Sequence, residues 1–176
     1  MNGILIRTAE VTDAEGIAHV HVNAWLETYR GLMSDGFLDR LSVEQRAKRW
    51  KQTLIDPNDV YHRAIVAIKD RQIIGFANFG KEQSGDSSFL GELFAIYLLK
   101  KFQRQGVGRE LVKCVVQGLL AQDISSMLVW VLAENPYRRF YESLGGVYLR
   151  ERMIDFGGMS LHEKAYGWKD TRPLAG

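Results

Sequence analysis

The chain has 176 residues, 46% hydrophobic and 25% charged, the composition of an ordinary soluble globular protein and a length that fits one compact domain. That excludes disordered, collagenous and disulfide-stapled classes, and 23 basic against 21 acidic residues leave a net charge of +2, too small to point to nucleic-acid or membrane binding. A single cysteine, Cys114, rules out an internal disulfide and a multi-cysteine zinc site, so a reducing cytoplasm is the default compartment. Met1 to Glu10 carries Arg7 and Glu10 and lacks the long apolar region of a signal peptide. No run of about 18 apolar residues occurs, so no membrane span is expected.

Ile4 to Arg7 reads as a first strand. Thr12-Asp13-Ala14-Glu15 then looks like an N-cap with acidic first-turn residues, starting a helix near Asp13 whose apolar positions Ile17, Val20, Ala24 and Trp25 lie at helical spacing and which Gly31 ends. Ser42 with Gln45 forms a capping-box pattern ahead of a second helix from Arg46 to Ile55, stopped by Asp56-Pro57-Asn58-Asp59. Tyr61 to Ile68 and Gln72 to Phe79 are β-branched and aromatic runs around Lys69-Asp70-Arg71, a hairpin. Ser88 to Leu99 is the longest strand candidate. It leads through a basic loop, Lys100 to Gln105, into Gly106-Val107-Gly108 and a helix reaching about Gln122 with Val107, Leu111, Cys114, Val115 and Gly118 on one face. Ser126 to Leu132 is a short buried-type strand. Asn135 as N-cap and Pro136 at the first position open another helix, which Gly145-Gly146 ends. Val147 to Ile154 and Met159 to Tyr166 pair around Asp155-Phe156-Gly157-Gly158, and Lys169 to Gly176 reads as a frayed, flexible tail behind a single domain of residues 1–168. Helices alternating with strands, and no repeat or linker, make this one α/β domain with a mixed sheet.

The most informative stretch is Glu92 to Leu111, where a strand enters a basic, glycine-containing turn that becomes a helix. Successive backbone N–H groups of such a turn point into one concavity, and the helix N-terminus adds partial positive charge, so the arrangement suits phosphate. Arg104 and Arg109 can add charge-assisted contacts. A Walker A loop is excluded, because Gly108 is followed by Arg109-Glu110 and the required lysine and hydroxyl are missing. The Rossmann fingerprint fails as well, since Leu111 stands where its third glycine belongs.

The residues that match are Gln103-Arg104-Gln105-Gly106-Val107-Gly108, a Gln/Arg-x-x-Gly-x-Gly/Ala pattern. This segment closely resembles the acyl-CoA motif of the GNAT superfamily of N-acetyltransferases, and Asn135 to Gly145, NPYRRFYESLG, resembles that family's second motif, the helix closing the other side of the CoA cleft. Both occur in the family's order, and the elements from Ile4 to Tyr166 fit it. Lys100 stands where many members have proline, and Gly145-Gly146-Val147 where they have Gly-Phe; neither position carries chemistry. The resemblance implies a mostly antiparallel central sheet flanked by helices and acetyl-CoA as co-substrate. It further implies that the turn holds the pyrophosphate, with Gln103 through Arg109 as cofactor residues. Ile96, Tyr97 and Leu98 would pair by backbone bonds with the pantetheine arm, and Asn135 and Tyr141 would contact it too.

Acetyl transfer to an amine needs a neutral nucleophile, whereas a primary amine with a pKa near 10.4 is more than about 99.9% protonated at pH 7. Glu92, at the start of the cofactor strand and eleven positions before Gln103, matches the catalytic glutamate of several members; Glu82 and Asp86 are weaker alternatives. Tyr141 matches the family's tyrosine that donates to the departing CoA sulfur, with Tyr137 ranked second, and the Tyr97 backbone N–H is the expected oxyanion donor. Cys114, mid-helix on an apolar face, reads as packing. His19, His21, His62 and His162 lack metal spacing, so no metal is expected.

In this family the first two helices shape the acceptor site, here with Trp25, Glu27, Tyr29, Arg30 and Trp50. Ala24 to Gly31 resembles a segment of many bacterial small-molecule members. Its aromatics would line an apolar wall, and Glu27 would hold a cationic amine. The favoured acceptor is a small-molecule amine attacked in a ternary complex. A protein amine or aminoacyl-tRNA, and a non-catalytic acyl-CoA-binding module, are the alternatives. Homodimers are common in the family.

Overall fold

The computed structural model describes residues 3–56, 59–156 and 158–176. Among the described residues seven strands form one sheet: β1 (Ile4–Thr8), β2 (Arg63–Lys69), β3 (Gln72–Lys81), β4 (Gly91–Leu98), β5 (Met127–Leu132), β6 (Val147–Phe156) and β7 (Met159–Trp168). Their order is β1-β2-β3-β4-β5-β7-β6, antiparallel throughout except where β5 lies parallel to β4. This is the mixed, mostly antiparallel sheet that the sequence implies.

The β2–β3 hairpin turns through Asp70 (φ +49°) and Arg71 (φ +64°), two left-handed residues whose twist matches that of the flanking strands. Helix α1 (Ala14–Tyr29) enters through a 3-10 turn, Val11–Asp13. Thr12 is not its cap: the Asp13 carboxylate instead accepts from the Glu10 N–H (2.8 Å) and from Arg7. After Gly31, which is left-handed at φ +82°, a short helix α2 (Asp35–Leu38) appears that sequence periodicity does not reveal, because four residues hold barely one turn. Helix α3 (Val43–Thr53) is capped by Ser42, whose hydroxyl accepts from the Gln45 N–H at 3.2 Å, and it ends two residues before the expected Ile55. Pro57 and Asn58 of the expected stop signal lie outside the described residues, as does Gly157 of the last turn.

The sheet's two faces build two cores. Helix α4 (Val107–Leu120) packs Val107, Leu111, Val115 and Leu119 on one face, against Phe79, Leu93 and Met127. On the other face α1 and α3 enclose Ile17, Val20, Trp50, Val66 and Phe76. A third cluster, Tyr29, Met33 and Leu38 with Phe156 and Leu161 beside it, joins the end of α1 to the outer strands. Strand β4 starts at Gly91, later than the expected Ser88, and β3, β6 and β7 are longer.

Residues 169–176 are not a frayed tail. Thr171 is fully buried, with its N–H bonded to the Ser125 carbonyl at 2.8 Å, and the Gln117 side-chain amide donates to the Ala175 carbonyl at 3.3 Å. A 3-10 turn over Arg172–Leu174 lays Leu174 and Ala175 against the α4 core, so apolar burial holds a segment that a polar reading leaves free.

Phe79 is 1% exposed, and its ring sits so close to Gly118 that a Cβ there would lie 2.7 Å from it. Phe79→Ala is expected to cost about 3–5 kcal/mol through lost burial and the cavity left behind, read as a lower urea midpoint at unchanged m.

Candidate active site

Strands β4 and β5 pair only at Gly91↔Met127 and Glu92↔Leu128, then diverge. A bulge contributes: the register of β4 on β3 passes from Asn78↔Ala95 to Phe79↔Leu93, leaving Phe94 as the extra residue that bends the strand. Beyond it, the Leu99 N–H donates to the Ile74 carbonyl at 2.9 Å, and β4 keeps that register back to Ile96. Alternation along an antiparallel ladder therefore turns the Tyr97 N–H toward β3, and those of Ile96 and Leu98 toward the gap that β5 has left. This corrects the expected oxyanion donor. The Tyr97 N–H belongs to the sheet, and the Ile96 N–H faces the gap.

At the end of β4 a 3-10 turn, Lys100–Phe102, leads into the basic loop. Arg104 (φ +59°) and Gly106 (φ +85°) are both left-handed, and Gly106 caps α4. Such a path turns successive amides inward. Among the described residues the N–H groups of Arg104 to Gly108 meet no acceptor within the chain. The Gln103 side-chain amide donates to the Leu98 carbonyl (3.1 Å) and that of Gln105 to the Lys101 carbonyl (2.9 Å), which pins the loop. Arg109 reaches across to the Ser143 carbonyl at 3.1 Å and ties the turn to helix α5 (Arg139–Ser143).

A cleft of about 650 Å³ opens over this turn. Gln103, Arg104, Gly106, Gly108 and Arg109 line one end, Ile96, Tyr97 and Leu98 its side, and Asn135, Tyr137 and Tyr141 the facing wall. Two of the expected cofactor residues do not line it: Gln105 is exposed, and the Val107 side chain is buried in the α4 core. Val107 offers only its N–H.

A second, inner cavity of about 160 Å³ adjoins the cleft, and Ile96, Tyr97, Asn135 and Tyr141 line both. Asn135 caps the Pro136–Arg138 turn by accepting from the Tyr137 N–H (2.8 Å) and donates to the Tyr29 hydroxyl (3.1 Å). One amide hydrogen and one carbonyl lone pair of its side chain remain for a ligand. Tyr141 is 8% exposed and stacks on Tyr166 at 6.2 Å, whereas Tyr137 is 40% exposed on the outer cleft.

Trp25 and Tyr29, one helical turn apart, form one wall of the inner cavity. Glu27 is exposed and lies outside it. Arg30 pairs outward with Asp35 and Asp39, each at 3.7 Å. Trp50 is buried behind the wall and donates to His21 Nδ1 at 3.3 Å, while the His21 ring stacks on Tyr97 (centroids 5.2 Å). The opposite wall, Trp130, Phe156 and Glu163, comes from β5, β6 and β7. No local motif marks these residues; only the strand period of Trp130 and Leu132 hints at a shared face.

A family profile described as FR47-like protein matches residues 86–154. The uncharacterized N-acetyltransferase YuaI of Bacillus subtilis (strain 168) is 33% identical over 97% of this chain and 96% of its own length. The mycothiol acetyltransferase of Brachybacterium faecium is 28% identical over 82% of this chain and 41% of its own. Among solved structures, yncA of Salmonella typhimurium with its cofactor acetyl-CoA superposes with a TM-score of 0.70 at 19% identity, covering 95% of this chain and 94% of that one. The chain belongs to the GNAT superfamily of N-acetyltransferases. Membership carries the class of activity, acetyl-CoA-dependent acetyl transfer.

Within this GNAT site the electrostatics separate the candidate acids and bases. Burial pushes the Glu92 carboxyl up to about 7, and Glu82 and Glu163 add to the rise while Arg152 and the Gln83 N–H oppose it. Glu82 is committed elsewhere: burial raises its carboxyl, but bonds from Ser84 and Asp86 outweigh that and hold it below its usual range. Asp86 is likewise lowered, by the Ser88 N–H and then by Arg150. Burial, with the neighbouring Tyr29, raises Tyr141 far above an ordinary phenol, and burial does the same to Tyr97. The Cys114 thiol is also raised by burial, as suits a packing residue. Among the described residues no cluster of His, Cys, Asp and Glu can hold a metal, and no helix is long and apolar enough to cross a membrane.

Burial, with Arg46 nearby, lowers His21 to about 3. Below the ordinary value near 6.5 the unfolded chain therefore takes up a proton that the folded chain refuses. The stability tied to neutral His21 is complete above about pH 6.5 and declines as pH falls toward 3. Urea titrations at pH 7 and 4.5 are expected to show about 2–3 kcal/mol of this loss, missing in His21→Gln.

Proposed function

We propose that the chain moves the acetyl group of acetyl-CoA to the primary amine of a small molecule, by direct attack in a ternary complex. The observation that carries this reading is the meeting of a phosphate-type cleft and a separate inner cavity at Ile96, Tyr97, Asn135 and Tyr141. A thioester laid along β4 from the turn would put its carbonyl at that junction, with the amine arriving from the other side. The turn amides from Arg104 to Gly108, with Arg104 and the α4 N-terminus, hold the pyrophosphate. The Leu98 N–H and the free half of the Asn135 amide take the pantetheine arm.

Glu92 is the general base. It does not line the inner cavity but stands beside it, near Glu163, so it draws the ammonium proton through a bridging water. A carboxyl titrating near 7 is both half-ionised and basic enough at neutral pH, the compromise that general-base catalysis favours. The neutral nitrogen bonds to the acetyl carbon, the carbonyl oxygen gathers charge against the Ile96 N–H, and the C–S bond breaks with its electron pair on sulfur; the nitrogen's second proton then passes through water to that sulfur, so that CoA leaves as the thiol. Tyr141 donates a hydrogen bond to that sulfur. Because burial raises the phenol well above a thiol, Tyr141 stabilises the leaving thiolate by a hydrogen bond and stays protonated through the cycle. The single thiol, Cys114, and the absence of a membrane-crossing helix among the described residues support work in a reducing, cytoplasmic setting.

The wild type is expected to show a rise of kcat/KM with pH through about 7; Glu92→Gln should abolish that rise and lower kcat/KM by about 10²–10³ with the calorimetric Kd for acetyl-CoA unchanged. Tyr141→Phe should lower kcat by about tenfold or more. Unchanged turnover in both variants removes these roles. Gly106→Ala, placed at φ +85°, should weaken acetyl-CoA binding about fivefold through backbone strain of about 1 kcal/mol. If folded wild-type protein binds no acetyl-CoA, the enzymatic reading falls.

A further inference from the structure

Among the described residues Glu163 is the one charged residue that lines the inner cavity. It stands opposite Leu132 on β5 and opposite Arg152 on β6, and residues directly opposite in an antiparallel ladder share a face. Leu132 lines the cavity, as does Leu161 two positions earlier on β7, so the Glu163 side chain is turned to the cavity side of the sheet. Glu92, in register with Leu128 on β5, lies on that side too, because Leu128 and Leu132 are an even number of positions apart.

Arg152 holds this carboxylate without using it up. Its Nε, at 3.0 Å, and a terminal nitrogen, at 2.9 Å, both reach one oxygen, Oε2, while the guanidinium lies over the Trp130 ring at 3.9 Å from the centroid. Among the described residues Oε1 has no hydrogen-bond partner, although a carboxylate oxygen can accept two bonds. Its charge is felt on two sides of the cavity: burial leads the rise of the Tyr29 phenol and of the Glu92 carboxyl, and Glu163 adds to both. A cation placed between two carboxylates relieves the repulsion between them, and the aromatic faces of Trp25 and Tyr29 on the opposite wall suit a cation as well.

Resting on the acetyltransferase reading above, we infer that Glu163 is the residue that docks the acceptor: its Oε1 takes the ammonium of the incoming amine, and Arg152 is the positioning residue that keeps the carboxylate turned to the cavity. The docked ammonium passes one proton through water to Glu92, and the lone pair so freed forms the bond to the acetyl carbon in the transfer already described. The same contact sorts substrate from product. An ammonium gains a charge-assisted bond at Glu163, whereas the acetylated nitrogen is a neutral amide and loses it, which favours release. A cavity of about 160 Å³ has the volume of about five waters, so it takes the amine-bearing end of an acceptor, and n-propylammonium is a probe of that size.

The test takes the protein in complex with CoA, labelled with ¹³C at its glutamate carboxyl carbons, and adds n-propylammonium chloride, N-propylacetamide or sodium chloride. The Glu163 carboxyl resonance is expected to move with propylammonium and to hold still with the other two. Propylammonium alone should lower the Glu92 midpoint from near 7 by about one pH unit, because an added cation favours its charged form. Glu163→Gln should weaken propylammonium binding, followed at Glu92, by about tenfold or more, and leave the Kd for CoA unchanged, since Glu163 does not line the cofactor cleft. Without the probe, Glu163→Gln should lower the Glu92 midpoint and Arg152→Gln should raise it, because the two charges act on Glu92 with opposite sign while Glu82, the other carboxylate beside it, is the same in both. The wild-type titrations stand if a variant does not fold. A Glu163 resonance that propylammonium does not move overturns the inference, as does an equal response to N-propylacetamide or sodium chloride, binding that Glu163→Gln does not weaken, or Glu92 midpoints that do not part in the two variants. Each of these leaves the cofactor reading standing. A folded protein that binds no CoA would overturn that underlying reading instead.

Discussion

The site depends on one interrupted ladder. Parallel strands β4 and β5 share two residue pairs and then separate, which leaves backbone amides of Ile96 and Leu98 facing a gap in the middle of a seven-stranded sheet. A buried amide without a partner costs about 1–3 kcal/mol, so proteins rarely leave a sheet open at its centre. Here the opening is held from both ends. The bulge at Phe94 bends β4 away, and the bond from Asn135 to Tyr29 anchors the start of the α5 segment across the gap to α1. Because N–H direction alternates along β4, the same interruption decides which residues offer donors to a ligand and which serve only the sheet.

The gap also explains why the candidate acid and base differ so much from ordinary groups. Tyr29, Tyr97 and Tyr141 converge where β4 and β5 part, and burial raises all three phenols, so this end is a set of neutral donors. Glu92 stands at the last paired rung, half-buried and close to two other carboxylates, and its charge is correspondingly disfavoured. Burial thus pushes the phenols further from neutrality and the carboxyl toward it. That separates a group that stays protonated from one that exchanges a proton near pH 7.

Much of this was legible in the sequence, and what was legible was local. The turn Gln103 to Gly108 and the cap at Asn135 are contiguous patterns, and the strands around them alternate clearly enough to place. The far wall of the inner cavity is not legible: Trp130, Phe156 and Glu163 reach one cavity only through the pairing of β5, β6 and β7, which no short window encodes. Glu27 is a different case. Trp25 and Tyr29 are four residues apart and share a helical face, but a residue midway between them points roughly to the opposite side, so helix geometry alone argues against it. The tail reads as free in sequence because its polar residues outnumber the two, Leu174 and Ala175, whose burial fixes it. The direction of the Tyr97 amide is not readable from sequence because it depends on the register against β3.

On the proposed assignment of cofactor to the cleft and acceptor to the inner cavity, the size difference between the two has a catalytic meaning. The cleft offers a line of donors and charges far from the reacting carbon, whereas the inner cavity is about a quarter of its volume. Most binding energy must therefore come from parts of the cofactor that do not react. Such energy lowers a barrier only if it is converted into positioning, because binding the ground and transition states equally leaves kcat unchanged. The turn, pinned by Gln103 and Gln105 and braced by Arg109 on Ser143, supplies the rigidity that conversion requires. A thioester fixed at its far end and along β4 has little freedom left at the carbonyl. In the ternary complex proposed above, a small amine would then need only a few contacts to be held in line, the orientation effect that makes a second substrate's attack effectively intramolecular.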